Sequence, residues 1–551
     1  MVLARIAGLL FAFGSLFAVQ AGQSGRVWYV NCGAGNDAAD GLSPSSAFKS
    51  IAAVSRQTFH PGDSILFRRG SVCEGMFAPS GSGTAQAPIR MDAWGSGALP
   101  RIHAQAGQEA ALKLFNQEYW TIRHLEFSGG DPYGVFISGN RGILHGIEVR
   151  DVVIHDVTGQ PKTKESGLLV IINGSEQEHF DHVLIDGVTA YHTTEWAGIL
   201  VAGVGHGFPP ESSRNTNVVI RNSLVYDVAG DGIVLFEVNN GLIENSAAWL
   251  TGMQETETIG TPNAIWTWMC RNCTVRHNEA FLTDSPGVDG GAFDIDYGND
   301  DNVVEENYGH DTQGYCVAVF GAGWVTTNSI VRHNICAANG LSPRLARRQG
   351  AVFLSTWNAG KIKSLEISDN LIFWNPPVAT AAVVNVADFI GTGKFDKNTI
   401  RSCSPLTVRS NSSLVVEANS VESCVKAPAG AEKNWSLRAI VSADEQDEDS
   451  RAQIALLESV HHQFPDLQIQ IGVTSLAENI VNLRADWNAG DLTIEAEPAH
   501  DEPLPKLPSL VLTNAAGKVM WTQNGLTTSG KLGLALRMFL GNPEYAKMAP
   551  Y

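Results

Sequence analysis

Two carboxylates alternate with apolar residues in the stretch GVDGGAFDIDYGNDD, residues 287 to 301. In a β-strand, Asp294 and Asp296 would lie on one face, about 6.5–7 Å apart. That spacing suits the acid and the base or nucleophile of a glycoside hydrolase. Repulsion between the two groups would raise one pKa, as a division of roles requires. Asp294 and Asp296 are therefore candidate catalytic residues, with Asp289 beside them.

Aromatic residues flank these acids when neighbouring Gly-led strands are aligned. The aligned strands are GDGIVLF (230–236), NAIWTW (263–268), GGAFDID (290–296) and GYCVAVF (314–320). The alignment places Trp266 and Trp268 one repeat before the acids, with Phe236 and Phe320 at equivalent positions. Aromatic faces bind the C–H faces of sugar rings. These four side chains are predicted to bind substrate.

The segment NYGHDTQG adds His310 and Asp311 as candidates to complete the site. A lyase would use the acids differently, because Ca²⁺ could bridge them to a uronate carboxylate while a basic residue or tyrosine abstracts the C5 proton. The candidate Ca²⁺ ligands are Asp284, Asp289, Asp294, Asp296 and Asp300. The motif strand has no basic residue, which favours hydrolysis without a cofactor. A non-catalytic glycan-binding adhesin and a surface structural protein remain alternatives.

A repeated motif ending in Asn or Asp indicates the architecture that positions these residues. Its ends are Asp151, Asp186, Asn222, Asn245, Asn278, Asn307, Asn334, Asn370, Asn398 and Asn419. Alternation with period 2 excludes helical repeats, and propeller blades would be longer and more regular. The pattern predicts a mainly β fold, a parallel β-helix in which the asparagines stack as a ladder.

Cysteine spacing fits coils stacked about 4.8 Å apart. Cys316 with Cys336, and Cys403 with Cys424, could bridge adjacent coils, and Cys32 could pair with Cys73. Cys270 and Cys273 form a CxxC motif with no second CxxC or His pair to complete a zinc site. Structural cysteines are the favoured interpretation of that motif.

Two segments resemble a known group of proteins. The start, VWYVNCGAGNDAADGLSPSSAFKSIAAV followed by PGDSILFRRGSVCEG, resembles the N-terminal cap of secreted right-handed parallel β-helix proteins of the pectate-lyase-like superfamily. The segments NAIWTWMCRNCTVRHNEA and DGGAFDIDYGNDDNVVEENYGHDTQG are similar to a stretch found in bacterial members. The resemblance covers roughly residues 26 to 430. It implies a right-handed β-helix and leaves the activity open among lyases, hydrolases, epimerases and adhesins.

Composition and termini complete the prediction. The net charge of −19 argues against nucleic acid and anionic membranes as partners. Residues 1–21 have the pattern of a signal peptide, and no other stretch is long enough to span a membrane. We expect a secreted or periplasmic monomer that acts on a polysaccharide.

The chain changes character near residue 434. The order strand, helix, strand, hairpin and helix over 434–551 resembles the thioredoxin fold, and no cysteine follows Cys424. The predicted organisation is a signal peptide (1–21), a cap with the first coils (22–110), a β-helix with the active face (111–430) and a thioredoxin-like α/β domain without redox cysteines (434–551).

Overall fold

The computed structural model consists of a long stack of parallel β coils followed by a smaller α/β unit. The structure describes residues 25–203, 213–254, 259–345, 350–374, 381–402, 408–411, 413–423, 434–442, 444, 447–464, 466–474, 492–497, 506–527 and 529–540. The predicted signal peptide lies outside these residues. None of the helices in the described ranges is long and apolar enough to cross a membrane.

Each complete coil contributes one strand to each of three parallel sheets. Sheet 1 contains Val27–Val30, Ser64–Arg68, Ile89–Trp94, Trp120–Arg123, Ile143–Arg150, His179–Asp186, Asn215–Arg221, Val238–Glu244, Arg271–Arg276, Val303–Glu305, Ile330–Arg332, Glu366–Ser368, Gly393–Asp396 and Leu414–Glu417. Sheet 2 contains Val72–Glu74, Arg101–His103, Glu126–Ser128, Val153–Val157, Thr189–Thr193, Leu224–Val228, Ala247–Thr251, Glu279–Phe281, Tyr308–His310, Ile335–Ala337, Leu371–Trp374, Thr399–Ser402 and Ser420–Ser423. Sheet 3 contains Leu112–Phe115, Tyr133–Gly139, Gly167–Asn173, Ala197–Ala202, Ile233–Phe236, Ile265–Trp268, Phe293–Ile295, Val317–Ala322, Val352–Trp357, Val383–Val386 and Val408–Arg409.

The stack of coils also carries a short sheet, a short helix and two 3₁₀ turns. A short parallel sheet contains Val325–Thr327, Lys361–Lys363 and Phe389–Ile390. The N-terminal part adds the helix Ile51–Val54 and a 3₁₀ turn at Pro44–Ser46, and another 3₁₀ turn spans Pro343–Leu345. The predicted parallel β-helix is confirmed, and the stacked sheets exclude a propeller.

The register of sheet 3 confirms the alignment made from the sequence. Ile265 pairs with Ile233 on one side and with Phe293 on the other, and Phe293 pairs in turn with Val317. All four side chains are buried in the central core. Because side chains alternate across a strand, the residues between them face away from that core.

The asparagine ladder is present, with one correction. From Asn278 through Asn419, the Nδ2 of each ladder residue donates to the Oδ1 of the next, at 2.9–3.0 Å. The prediction that Asn222 and Asn245 belong to the ladder is wrong by one position. Ser223 and Ser246 occupy the ladder level instead, because the backbone N–H of Ser246 donates to Asn278 and that of Ser223 to the Ser246 hydroxyl.

Two of the predicted disulfides are confirmed. Cys32 bonds to Cys73, and Cys316 bonds to Cys336 in the next coil. Cys403 and Cys424 lie outside the described residues. Cys270 and Cys273 are unbonded and buried in the central core. Burial raises the pKa of Cys273 well above its usual value, so both thiols are suited to packing.

The C-terminal unit has its own core and a mixed five-stranded sheet. The strands, in sheet order, are Thr493–Ala496, Gln468–Thr474, Ser436–Ser442, Ser509–Thr513 and Val519–Asn524. The helices are Glu448–Gln463 and Ser529–Leu540. The first three strands are parallel and the last two join as an antiparallel hairpin. The thioredoxin-like assignment stays a prediction.

The helix Glu448–Gln463 packs against sheet 2. Ala455 lies in an apolar cluster with Leu224, Trp249 and Phe281 of the β-helix. The Ser459 hydroxyl donates to Glu279 at 3.0 Å. The unit therefore covers one flank of the stack and leaves sheet 3 to form the candidate site.

Candidate active site

The outer face of sheet 3 carries the two candidate carboxylates. Asp294 pairs with Trp266 in the preceding coil and with Ala318 in the following one. Asp296 follows the strand directly, and its backbone N–H donates to the carbonyl of Thr267 at 3.0 Å. The acids thus stand beside the tryptophans on one side. On the other side, Ala318 is buried in an apolar cluster with Tyr315, Phe320 and Phe353.

These outward-facing acids are not on an open surface. Asp294 is only 2% exposed, although it points away from the central core. The segments that precede the sheet 3 strands contribute Lys164, Asn263 and Asp289 around it. An aspartate here needs neighbours that compensate for its burial.

A cavity of about 880 Å³ lies over the carboxylates, and we call it the main cavity. Asp289, Asp294 and Asp296 line it together with Trp266, and Phe320 lies farther along the wall. The structure thus brings together three of the predicted catalytic acids and two of the predicted substrate-binding aromatics. Tyr297, Phe353 and Trp357 add aromatic surface that the sequence did not single out.

A second cavity of about 580 Å³, the side cavity, adjoins the first. Phe236 and Trp268, both predicted to bind substrate, line this cavity rather than the main one. Trp324 extends its wall. Trp268, Tyr297 and Trp357 meet edge to face, with ring centres 5.7 and 5.9 Å apart.

Hydrogen bonding distinguishes the two central acids. The Oδ2 of Asp294 accepts from the Nδ2 of Asn263 at 3.2 Å, while its Oδ1 has no hydrogen-bond partner among the described residues. Asp296 accepts from the backbone N–H of Tyr297 at 2.8 Å. Asp294 therefore has one oxygen free for substrate or water in the main cavity.

Asn263 is held in the orientation that serves Asp294. Its Oδ1 accepts from the Gly291 N–H and from the Tyr315 hydroxyl, both at 2.9 Å. Its backbone N–H donates to Asp231 at 2.9 Å. Because the amide oxygen is already occupied by donors, the amide nitrogen must face Asp294. The sequence prediction did not single out Asn263, Tyr315 and Asp231, although each stands two residues before an inward-facing residue of an aligned strand.

Burial and mutual repulsion alter the acidity of the carboxyls. Burial, together with the charges of Asp296 and Asp289, raises the pKa of Asp294 well above its ordinary value. Burial raises the pKa of Asp296 to about 8, with the charge of Asp289 acting in the same direction. Burial raises the pKa of Asp289 as well. The cluster therefore retains protons at neutral pH, as a general acid must.

Lys164 is the cation that opposes this repulsion. Its Nζ lies 5.1 Å from the ring centre of Trp196 and 5.1 Å from that of Trp266. Its charge lowers the pKa of Asp289, Asp294 and Asp296, against the larger effect of burial. Two indole faces stabilise a desolvated ammonium by cation–π attraction. Lys164 is a positioning residue that the sequence analysis missed.

His310 and Asp311 do not line either cavity, contrary to expectation. His310 belongs to the sheet 2 strand Tyr308–His310, fully buried between Glu279 and Asp311. Burial disfavours its charged form, but hydrogen bonds to the Asp311 and Glu279 carboxylates raise its pKa overall. Its ring stacks on Phe281 at 4.9 Å. The segment read as a turn is a strand, so these residues face the C-terminal unit.

The Ca²⁺ ligand set expected for a lyase is not brought together. Asp284 pairs with Arg344 at 3.3 Å, and Asp300 pairs with Arg271 at 3.7 Å. Neither lines a cavity with the other acids. Within the described ranges, no group of three or more His, Cys, Asp or Glu side chains has metal-binding geometry. Ca²⁺ prefers six to eight oxygen ligands, so these residues do not fit the ion.

Comparisons with known proteins agree with the fold. A family model described as a right handed beta helix region matches residues 167–388, which include Asp289, Asp294 and Asp296. The search of curated proteins gives no match. The solved GH136 lacto-N-biosidase from Eubacterium ramulus is 21% identical, with a TM-score of 0.52, covering 72% of this chain and 68% of its own.

Two further solved structures are more distant. XylC in complex with xylose is 9% identical, covering 76% of this chain and 88% of its own, with a TM-score of 0.48. The alginate lyase from Paenibacillus sp. str. FPU-7 is 13% identical, covering 71% of this chain and 99% of its own, with a TM-score of 0.31. The likeness to the GH136 lacto-N-biosidase supports the β-helix fold. The activities belong to those proteins.

Proposed function

We propose that this protein is a carbohydrate-active enzyme that hydrolyses glycosidic bonds with Asp294 and Asp296. The observation that carries the proposal is the buried Asp294 beside the partly buried Asp296, in a cavity walled by aromatic rings. One carboxyl donates a proton to the glycosidic oxygen. The other takes a proton from water or attacks the anomeric carbon. The rings hold the sugar by stacking.

A lyase is the second candidate, because the structure supplies a base that the sequence lacked. Lys164 and Tyr297 line the main cavity beside the acids, and either type of side chain abstracts protons in principle. A uronate carboxylate would, however, lie against three carboxyl groups, with Lys164 and Arg409 as the cations of the cavity lining. Each of these acids repels the uronate when it is ionised, which disfavours such a substrate. Hydrolysis of a neutral glycan therefore remains the preferred function.

A polysaccharide panel tests the proposal. Purified protein is incubated with neutral and uronate-containing glycans, and new reducing ends and ultraviolet absorbance of an unsaturated product are read together. Hydrolysis gives reducing ends without absorbance. Absorbance that rises with the reducing ends would replace hydrolysis by elimination. Glycan binding that survives Asp294→Asn, with no cleavage by the wild type, would make the protein a glycan-binding module.

Export and the C-terminal unit belong to the same proposal. The signal-peptide pattern at residues 1–21 and the two disulfides suit a secreted or periplasmic protein. The sheet order and helices of residues 434–540 are compatible with a thioredoxin-like unit. With no cysteine after Cys424, that unit has a packing role on the β-helix.

A further inference from the structure

The two cavities meet at Asp296. The residues common to both are Lys164, Trp266, Asp296, Tyr297 and Trp357. Asp294 and Asp289 line only the main cavity. Asp296 is thus the one carboxyl of the central pair that a molecule lying across both cavities would touch from either side.

The side cavity has the composition of a sugar-binding surface without a second pair of acids. Phe236, Trp268 and Trp324 form aromatic walls, and Lys162 and Glu165 supply charged polar groups at its edge. Pockets for small molecules combine apolar walls with a few polar groups in this way. Asp296 is the only aspartate among the described residues that line it.

The main cavity extends in the other direction, along the stack. From Asp294 the outward positions run to Ala318, then Phe353, then Val384, one coil at a time. Phe353 and Val384 line the main cavity, whereas Ala318 is buried in an apolar cluster with Tyr315 and Phe353. A sugar in this cavity would lie directly over Asp294.

We infer that the side cavity is a separate saccharide subsite, and that the substrate is a glycan whose adjacent units occupy the two cavities. The inference rests on the proposed function and adds the position of the cleaved glycosidic bond relative to the two cavities. The bond that breaks joins the anomeric carbon in the main cavity to the oxygen of the unit in the side cavity. Asp296 gives its proton to that oxygen. Water supplies a hydroxyl to the anomeric carbon, and its remaining proton returns to the carboxyl pair.

The test compares substrates that fill one cavity or both. Trp324 lines only the side cavity and Phe353 only the main cavity, so Trp324→Ala and Phe353→Ala are matched variants. For each variant, kcat/KM is measured on an oligosaccharide from the panel and on the glycosyl fluoride of its non-reducing unit, whose fluoride leaving group is too small to fill the side cavity. Trp324→Ala should reduce kcat/KM on the oligosaccharide about tenfold more than on the glycosyl fluoride. Phe353→Ala should reduce both to a similar extent.

Two controls separate a local effect from general damage. Trp324→Tyr keeps an aromatic face and should restore most of the oligosaccharide activity. Trp94→Ala removes a tryptophan from the N-terminal coils, far along the chain from both cavities, and should leave both substrates within twofold of wild type. Equal losses on both substrates with Trp324→Ala, or no loss on either, would overturn the two-cavity inference.

Failure of the proposed function has a different signature. If the wild type binds an oligosaccharide by calorimetry but cleaves nothing, hydrolysis fails. The subsite then stands only when Trp324→Ala weakens binding of the oligosaccharide more than binding of its single unit. If no glycan in the panel is bound or cleaved, both proposals are overturned.

Discussion

At the scale of single residues, the chemistry depends on a pair of carboxyls that burial keeps from ionising freely. Asn at position 294 or 296 retains the shape of the side chain but can neither donate an acidic proton nor act as a base. We expect each substitution to lower kcat by about 10²–10⁴-fold. Steady-state rates on a cleaved glycan measure the loss. Asp284→Asn, at a partly exposed aspartate outside both cavities, is the matched control and should retain activity.

The same pair should make stability depend on pH. The pKa of each carboxyl is higher in the folded protein than in the unfolded chain. The folded state therefore holds protons that the unfolded chain releases, and wild-type stability falls as the pH rises from the unfolded value near 4 through the raised folded values. Asp294→Asn removes one such group. Its Tm relative to wild type should be higher at pH 8.5 than at pH 5, and an equal difference at both pH values would contradict the burial argument.

Lys164 should set the pH range of activity. Its charge favours ionisation of the acids around it, so Lys164→Met should move the acidic limb of the kcat/KM profile to higher pH. Lys164→Arg keeps the charge and should leave that limb near its wild-type position. A lyase that uses Lys164 as its base would instead lose activity with both variants, because arginine does not deprotonate.

Some of the residues at the site could be predicted from the sequence and others could not, for a physical reason. Asp294 and Trp266 could be found because they follow the regular alternation of a strand, where facing direction is fixed. Asn263 stands in the aligned register, two residues before Ile265, but its role depends on side-chain contacts that the register does not give. Lys164 lies in the segment before a strand, and the length of such segments varies from coil to coil. His310 was misplaced because three residues of strand, flanked by polar residues, resemble a turn.

At the scale of elements, the asparagine ladder binds one coil to the next. Asn334 donates to the Val304 carbonyl and to Asn370, and its Oδ1 accepts from the backbone N–H of Asn307. Asn334→Ala would leave these buried groups unpaired, at about 1–3 kcal/mol for each. Asn419, half-exposed at the ladder's end, is the matched control.

Denaturant unfolding tests this prediction. Asn334→Ala should lower the free energy of unfolding by more than Asn419→Ala, because water can replace the lost partners only at the exposed end. Equal effects at both positions would show that the ladder adds little beyond the sheets. The repeat itself was readable from the sequence. The exact position of the ladder in each coil could not be predicted. Ser223 takes the place of asparagine in its coil, and the neighbouring Asn222 matches the sequence motif.

At the scale of the whole molecule, Arg451 joins the C-terminal unit to the β-helix. Its guanidinium donates to Asp151 at 2.5 Å and to Asp186 at 3.0 Å, and Asp186 is fully buried. Removing one partner of a buried ion pair costs about 3–5 kcal/mol. Arg451→Ala should therefore lower Tm, whereas Arg438→Ala, which breaks ion pairs within the C-terminal sheet, should leave the interface intact.

Limited proteolysis distinguishes the two variants. Arg451→Ala should speed release of the C-terminal unit, and Arg438→Ala should not. A chain ending near residue 430 would lack the C-terminal unit. Such a chain would expose the apolar cluster around Trp249 and Phe281. Sequence could not reveal this interface, because contacts between residues 300 positions apart leave no local pattern.

The direction of the helix Glu448–Gln463 has a consequence for how the protein comes apart. Arg451, Ala455 and Ser459 are spaced four residues apart on one helix face, spanning about 12 Å. Their partners Asp186, Ala247 and Glu279 lie within four successive coils, so that three coil spacings cover about 14 Å. The helix therefore runs along the length of the stack. A stack of coils can unfold one coil at a time from an end, but the four coils that this helix contacts are expected to unfold together, as one cooperative block that includes the sheet 3 strand carrying Trp266.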